Sequence, residues 1–159
     1  MDIYQYISKE YFEFSEKILY FLNNKDCVIF GGFVKSILIN EEWNQELDIL
    51  CVDYDKTYKE FTKLYPPDSI EHSNGHAILF YGNYEIDLCK MFAINDFTLN
   101  CLGLMGENIV VVPNIFTFDI LYLINSFNEK TAYGSRISEI NPNYQSRLIR
   151  FKDWKILRT

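Results

Sequence analysis

The chain has 159 residues and a net charge of −7, with 48% hydrophobic and 17% aromatic residues. That is enough apolar material for a packed core of one domain and too much for wholesale disorder. It contains no run of eighteen apolar residues, and its acidic balance argues against a generic nucleic-acid coat.

Residues 3–22 read as an amphipathic helix, with Ile3, Ile7, Tyr11, Phe14, Ile18 and Phe21 at steps of three and four. Its acids and lack of a long apolar stretch do not match a secretory leader. Tyr4, Tyr6, Tyr11 and Phe12 would pack in the core, stack on bases or cover a partner face. Cys27 to Phe30 is a short buried strand, and Phe33 to Ile39 a helix following the Gly31-Gly32 turn. After a polar loop, Leu47 to Val52 is a second strand, apolar except for Asp48.

A surface helix over 54–64 stops at Pro66-Pro67. A hairpin follows: Ala77 to Tyr81, the Gly82-Asn83 turn, then Tyr84 to Lys90. Phe97 to Leu102 is a helical turn, Ile109 to Val112 a strand and Phe118 to Asn125 a helix. Residues 130–143, polar with Gly, Ser, Asn and Pro, read as a loop, and Tyr144 to Leu157 as a last helix. Residues 136–159 carry net +4 against −11 for the rest. This basic tail would touch phosphates or dock on the acidic body.

The four cysteines, Cys27, Cys51, Cys89 and Cys101, form no Cys-x-x-Cys pair and lie in apolar segments. They read as buried free thiols in a reducing compartment, the cytoplasm. The only histidines, His72 and His76, are far in sequence from any cysteine, so no zinc site is expected. A surface hairpin explains both.

The chemistry concentrates between Ile29 and Asp53. Glu46 and Asp48 are two apart, so on a strand they share a face. Paired carboxylates repel unless a cation lies between them, and oxygen clusters of this kind suit Mg²⁺ or Mn²⁺. Asp87 shares a face with Glu85 on a later strand and would complete the cluster as ligand and general base, with Glu85 its competitor. The bland alternative is a row of solvent-facing strand acids. A glycine turn opening a helix offers backbone N–H groups to phosphate. Lys35 adds a cation there, and Ser36 either caps that helix or binds phosphate.

GGFVKSIL followed by ELDILCVD resembles the signature of the DNA polymerase beta-like nucleotidyltransferase superfamily, a glycine turn on a short helix followed by Asp-x-Asp on the next strand. NDFTLNCL (95–102) resembles the Arg-Arg-Asp-Phe-Thr-Ile-Asn-Ala-Leu motif of CCA-adding enzymes and bacterial poly(A) polymerases. The resemblance covers about residues 27–125. It implies an α+β palm, a mixed four- to five-stranded sheet with helices packed on one side, here followed by a C-terminal helix. The palm with its N-terminal helix would take residues 1–125, and the loop and basic helix residues 126–159. By position, Glu46 and Asp48 match the metal-binding pair, Gly31 and Gly32 the phosphate loop, and Lys35 an arginine. Asp96 matches the acid that contacts the incoming ribose, and Asn100 the motif's asparagine.

Several positions depart from the pattern. Glu46 replaces an Asp, Ser36 replaces an acid, and Ile94 and Asn95 replace the double arginine. The relatives choose their base with Glu-Asp-x-x-Arg on a neck helix, where this chain has Asn143 to Arg147 with the arginine and no acids. The implied activity is a minimal nucleotidyltransferase that moves a nucleoside monophosphate from an NTP to a hydroxyl of RNA, a small molecule or a protein. Arg147 and Arg150 would contact phosphates or an RNA acceptor. The alternative is a degenerate palm that binds a nucleotide or a partner without chemistry.

Overall fold

The computed structural model describes residues 14–90 and 96–159. The first half of the helix expected over residues 3–22, with Tyr4, Tyr6, Tyr11 and Phe12, lies outside them, as do Ile94 and Asn95. The described part begins with α1 (Ser15–Asn23), which buries Ile18, Phe21 and Leu22. Then come β1 (Cys27–Phe30), α2 (Gly32–Ile39), β2 (Glu46–Cys51), α3 (Tyr54–Leu64), β3 (Ser69–Ser73), β4 (His76–Tyr81) and β5 (Tyr84–Lys90). A 3₁₀ turn at Thr98–Asn100 leads into β6 (Leu102–Met105) and β7 (Asn108–Val111). The chain closes with α4 (Ile120–Asn128), β8 (Thr131–Gly134), α5 (Arg136–Glu139), α6 (Tyr144–Arg150) and β9 (Lys155–Arg158).

Seven strands form one mixed sheet in the order β3-β4-β5-β2-β1-β6-β7. The β2–β5 pair is parallel and every other pair in this sheet is antiparallel. The mixed α+β architecture agrees with the sequence reading, extended by two strands. β3 is largely exposed and β6 carries a glycine, so neither shows the alternation that marks a half-buried strand.

The two faces of the sheet have different work. Leu47 and Ile49 of β2, Ile86 and Leu88 of β5, and Cys27 and Ile29 of β1 project to one side. There they meet Phe21, Phe33, Ile37, Phe61, Leu123 and Phe127 from the helices in one core. Helix starts have local causes: the Asp53 and Asp119 side chains accept from the N–H groups of Lys56 and Tyr122, capping α3 and α4. The opposite face carries a small apolar cluster of Val28, Phe30, Leu50, Cys89 and Val112, and next to it the acids.

The C-terminal segment departs from the sequence reading. Residues 130–143 are not a plain loop: β8 and α5 lie within them, and the last helix ends at Arg150 instead of Leu157. After a turn at 151–154, β9 pairs parallel with β8. The pairing partner of each four-residue strand is more than twenty residues away, so no local pattern announces it. Trp154, buried at the end of that turn, packs edge-on against Phe127 and Phe151 and pulls the chain out of its helix.

Candidate active site

The acids gather because β2 and β5 run parallel in register. Glu46 pairs with Glu85 and Asp48 with Asp87, so four carboxylates stand on the same face of two neighbouring strands. Asp48 is partly buried. Its burial pushes the carboxyl up to about 7, the charges of Asp87, Glu46 and Glu85 push in the same direction, and Arg150 pulls against them. Burial and the charges of Glu46, Glu71 and Asp87 also raise Glu85. Asn44 reads both ends of Glu46: its Nδ2 donates to Oε2 at 3.3 Å and its Oδ1 accepts from the backbone N–H at 3.2 Å.

Gly31 adopts φ +77°, a left-handed conformation that suits glycine, and a side chain there would run into the Asp48 carboxylate, with the Asn100 amide just beyond. It is the N-cap of α2, so the first N–H groups of that helix open beside the acids. The glycine turn and Asp48 are therefore neighbours in space. Asn100 reaches them from the 3₁₀ turn.

These groups border a cavity of about 260 Å³. Gly32, Lys35, Ser36, Glu46, Asp48, Asn100 and Arg147 all line it, bringing together most of the residues singled out from sequence. Asp87 lies one strand over, outside the lining, and its Oδ1 is 3.1 Å from His76 Nδ1. Ser36 does not cap α2. It sits mid-helix, where its hydroxyl donates to the Glu42 carbonyl at 3.2 Å and holds the following loop.

Asp96 meets Arg147 across 51 residues. Arg147 Nη1 donates to Asp96 Oδ1 at 2.8 Å, and Asn141 Nδ2 donates to Oδ2 at 3.1 Å. The Ser138 hydroxyl donates to the Asp96 carbonyl. The acid thus ties the C-terminal segment to the stretch entering the 3₁₀ turn, and Arg147 lies across the Phe97 ring.

Sequence reasoning missed Glu41 and Lys130 in the cavity. Glu41 forms ion pairs with Lys35 at 3.6 Å and Lys130 at 3.0 Å, joining α2 to the α4–β8 connection. Lys130 reaches the site because it holds a left-handed turn, φ +51°, between α4 and β8. No motif surrounds it. The expectation about histidine also needs correction. His72 and His76 belong to a hairpin, as read, but His76 is in register with Cys89, so distance in sequence did not keep histidine and cysteine apart.

A mixed sheet with this acid pair beside a glycine-capped helix defines a nucleotidyltransferase palm-like fold. Solved structures that share it include a CCA-adding enzyme in complex with CTP, at TM-score 0.64 and 19% identity over 88% of this chain and 40% of that one. Thermotoga maritima CCA-adding enzyme complexed with tRNA matches at 0.63 and 18% identity over 89% and 39%. A tRNA nucleotidyltransferase complexed with a primer tRNA and an incoming ATP analog matches at 0.54 and 16% identity over 82% and 43%. The chain spans about two-fifths of the length of these structures. No family model and no curated protein matches the sequence.

Proposed function

We propose that this chain is a nucleotidyltransferase that moves a nucleoside monophosphate from an NTP onto a hydroxyl acceptor, with an RNA 3′ end as the first acceptor to test. The observation that carries the reading is the convergence of Asp48, flanked by Glu46 and in register with Asp87, on the backbone of Gly31 at a cavity rimmed by Lys35 and Arg150. The fold it shares with CCA-adding enzymes supports the same reading.

The carboxylates offer the donor chemistry that a hard divalent cation takes. They are oxygen-only ligands, mutually repulsive, and Asp48 holds its proton up to about pH 7 when no cation offsets its neighbours. Glu46, Asp48 and Asp87 would hold Mg²⁺ or Mn²⁺, which supplies charge neutralisation on the phosphates and a lowered pKa for the acceptor hydroxyl. The chain's own groups do the rest. The N–H groups at the start of α2 and the Lys35 ammonium receive phosphate oxygens. Arg150 adds a second positive charge on the C-terminal side, and Asn44 keeps the Glu46 carboxylate aimed. Asp87, steadied by His76, accepts the acceptor's proton.

The test uses the full chain with each labelled NTP, Mg²⁺ or Mn²⁺, and total RNA, small-molecule or protein acceptors. Metal-dependent labelling of an acceptor is expected. Asp48→Asn should cut it by on the order of a hundredfold or more while leaving the circular dichroism spectrum intact. Full labelling by that variant refutes the site. Metal-dependent NTP binding with no transfer to any acceptor would reassign the chain as a nucleotide-binding module.

A further inference from the structure

His76 on β4 and Cys89 on β5 are register partners, and Asp87 lies two residues before Cys89, so all three side chains leave the sheet on one face. His76 Nδ1 is 3.1 Å from Asp87 Oδ1 and 3.3 Å from Cys89 Sγ. A ring nitrogen has either one proton or one lone pair, so it cannot make a full hydrogen bond to both neighbours. A tetrahedral Zn²⁺, with bonds of about 2.1 Å to nitrogen and oxygen and about 2.3 Å to sulfur, would set those separations at roughly 3.4 Å and 3.6 Å. Each differs from the structure by about 0.3 Å, which small side-chain rotations supply. The three donor atoms all lie within 4.8 Å of one another.

We propose that His76, Asp87 and Cys89 form a second metal site, for a borderline-soft divalent cation such as Zn²⁺. Imidazole and thiolate select such a cation over Mg²⁺, whereas the neighbouring Glu46–Asp48 pair is oxygen-only. Cys89 is 3% exposed and forms the floor, while the His76 and Asp87 side chains are 41% and 27% exposed, so the cation has a route in and a fourth position open to solvent. Asp87 stands in register with Asp48 and belongs to both clusters. A cation held by His76 and Cys89 would fix the Asp87 carboxylate and offset its repulsion of Asp48. As the sulfur–metal bond forms, the Cys89 S–H bond breaks and its hydrogen leaves to solvent as a proton.

The experiment strips the full chain with a chelator and titrates it with Co²⁺, whose thiolate-to-cobalt charge-transfer absorption reports sulfur ligation directly. One thiolate-bound Co²⁺ per chain, and its displacement by Zn²⁺, are expected. Cys89→Ser should abolish the band, and His76→Gln should weaken binding at least tenfold. His76 is half-exposed, so its variant keeps the fold and decides the matter if Cys89→Ser does not. A missing thiolate band at saturating Co²⁺, a band that survives in Cys89→Ser, or unchanged affinity in His76→Gln overturns the site. The readout uses neither nucleotide nor turnover, so it succeeds or fails independently of nucleotidyl transfer.

Discussion

The Asp48 carboxylate occupies the space where a Gly31 side chain would be: a Cβ built on Gly31 stands 2.8 Å from Asp48 Oδ2 and 3.7 Å from Asn100 Oδ1. The glycine serves two ends at once, since its φ of +77° disfavours any L side chain. Through this contact the turn that opens α2 and the acid of β2 act as one unit.

Gly31→Ala should therefore injure both stability and activity. Left-handed strain costs roughly 1–2 kcal/mol, and the clash displaces Asp48 by a few tenths of an ångström or more. A loss of transfer on the order of a hundredfold is expected, read from initial rates beside urea unfolding. Gly32→Ala is the stability control, because it meets only Asn44 Oδ1 at 3.9 Å at an ordinary φ. Equal unfolding midpoints for Gly31→Ala and wild type would contradict the contact.

The pH dependence of stability follows from Asp48. Its carboxyl is pushed up to about 7 by burial, then by Asp87 and Glu46, from about 3.9 in the unfolded chain. Between those values the folded chain keeps a proton that the unfolded chain has lost, so stability from this group falls as pH rises from about 4 to 7. The difference between wild type and Asp48→Asn isolates it. In chelator at pH 8 the variant should be the more stable, by roughly 1–2 kcal/mol after allowance for partial exposure. Saturating Mg²⁺ should stabilise wild type and not the variant. Thermal unfolding across pH 4–8 measures both effects, and a variant less stable than wild type at pH 8 in chelator would count against the cluster.

Arg147 and Asp96 are 17% and 14% exposed and 2.8 Å apart. Arg147→Ala leaves the Asp96 carboxylate with Asn141 as its remaining side-chain donor among the described residues. The expected cost is roughly 2–3 kcal/mol. Removing the charge with Asp96→Asn should recover part of it, with a coupling on the order of 1–3 kcal/mol in the double-mutant cycle. Denaturant titration of the four proteins gives that number, and a coupling near zero would show that the pair does not anchor the C-terminal segment.

Much of this protein was legible from local patterns. The strand–glycine–helix–strand run from Cys27 to Cys51 announced itself because apolar runs, a Gly-Gly turn and a lone acid are all short-range signals. The same holds for the β4–β5 hairpin, with Gly82 at its turn, and for the shared face of Glu46 and Asp48. What the chain could not declare alone were contacts between segments far apart in sequence. The parallel register of β2 and β5 stands Asp87 against Asp48, and β4 against β5 brings His76 to Cys89. Lys130 comes to Glu41 around a turn. Trp154 finds its place on Phe127, ending α6 early and freeing β9 to pair with β8. Periodicity records which face of an element is apolar, whereas partners are chosen by burial and pairing across the whole chain, and those energies exist only once the sheet has closed.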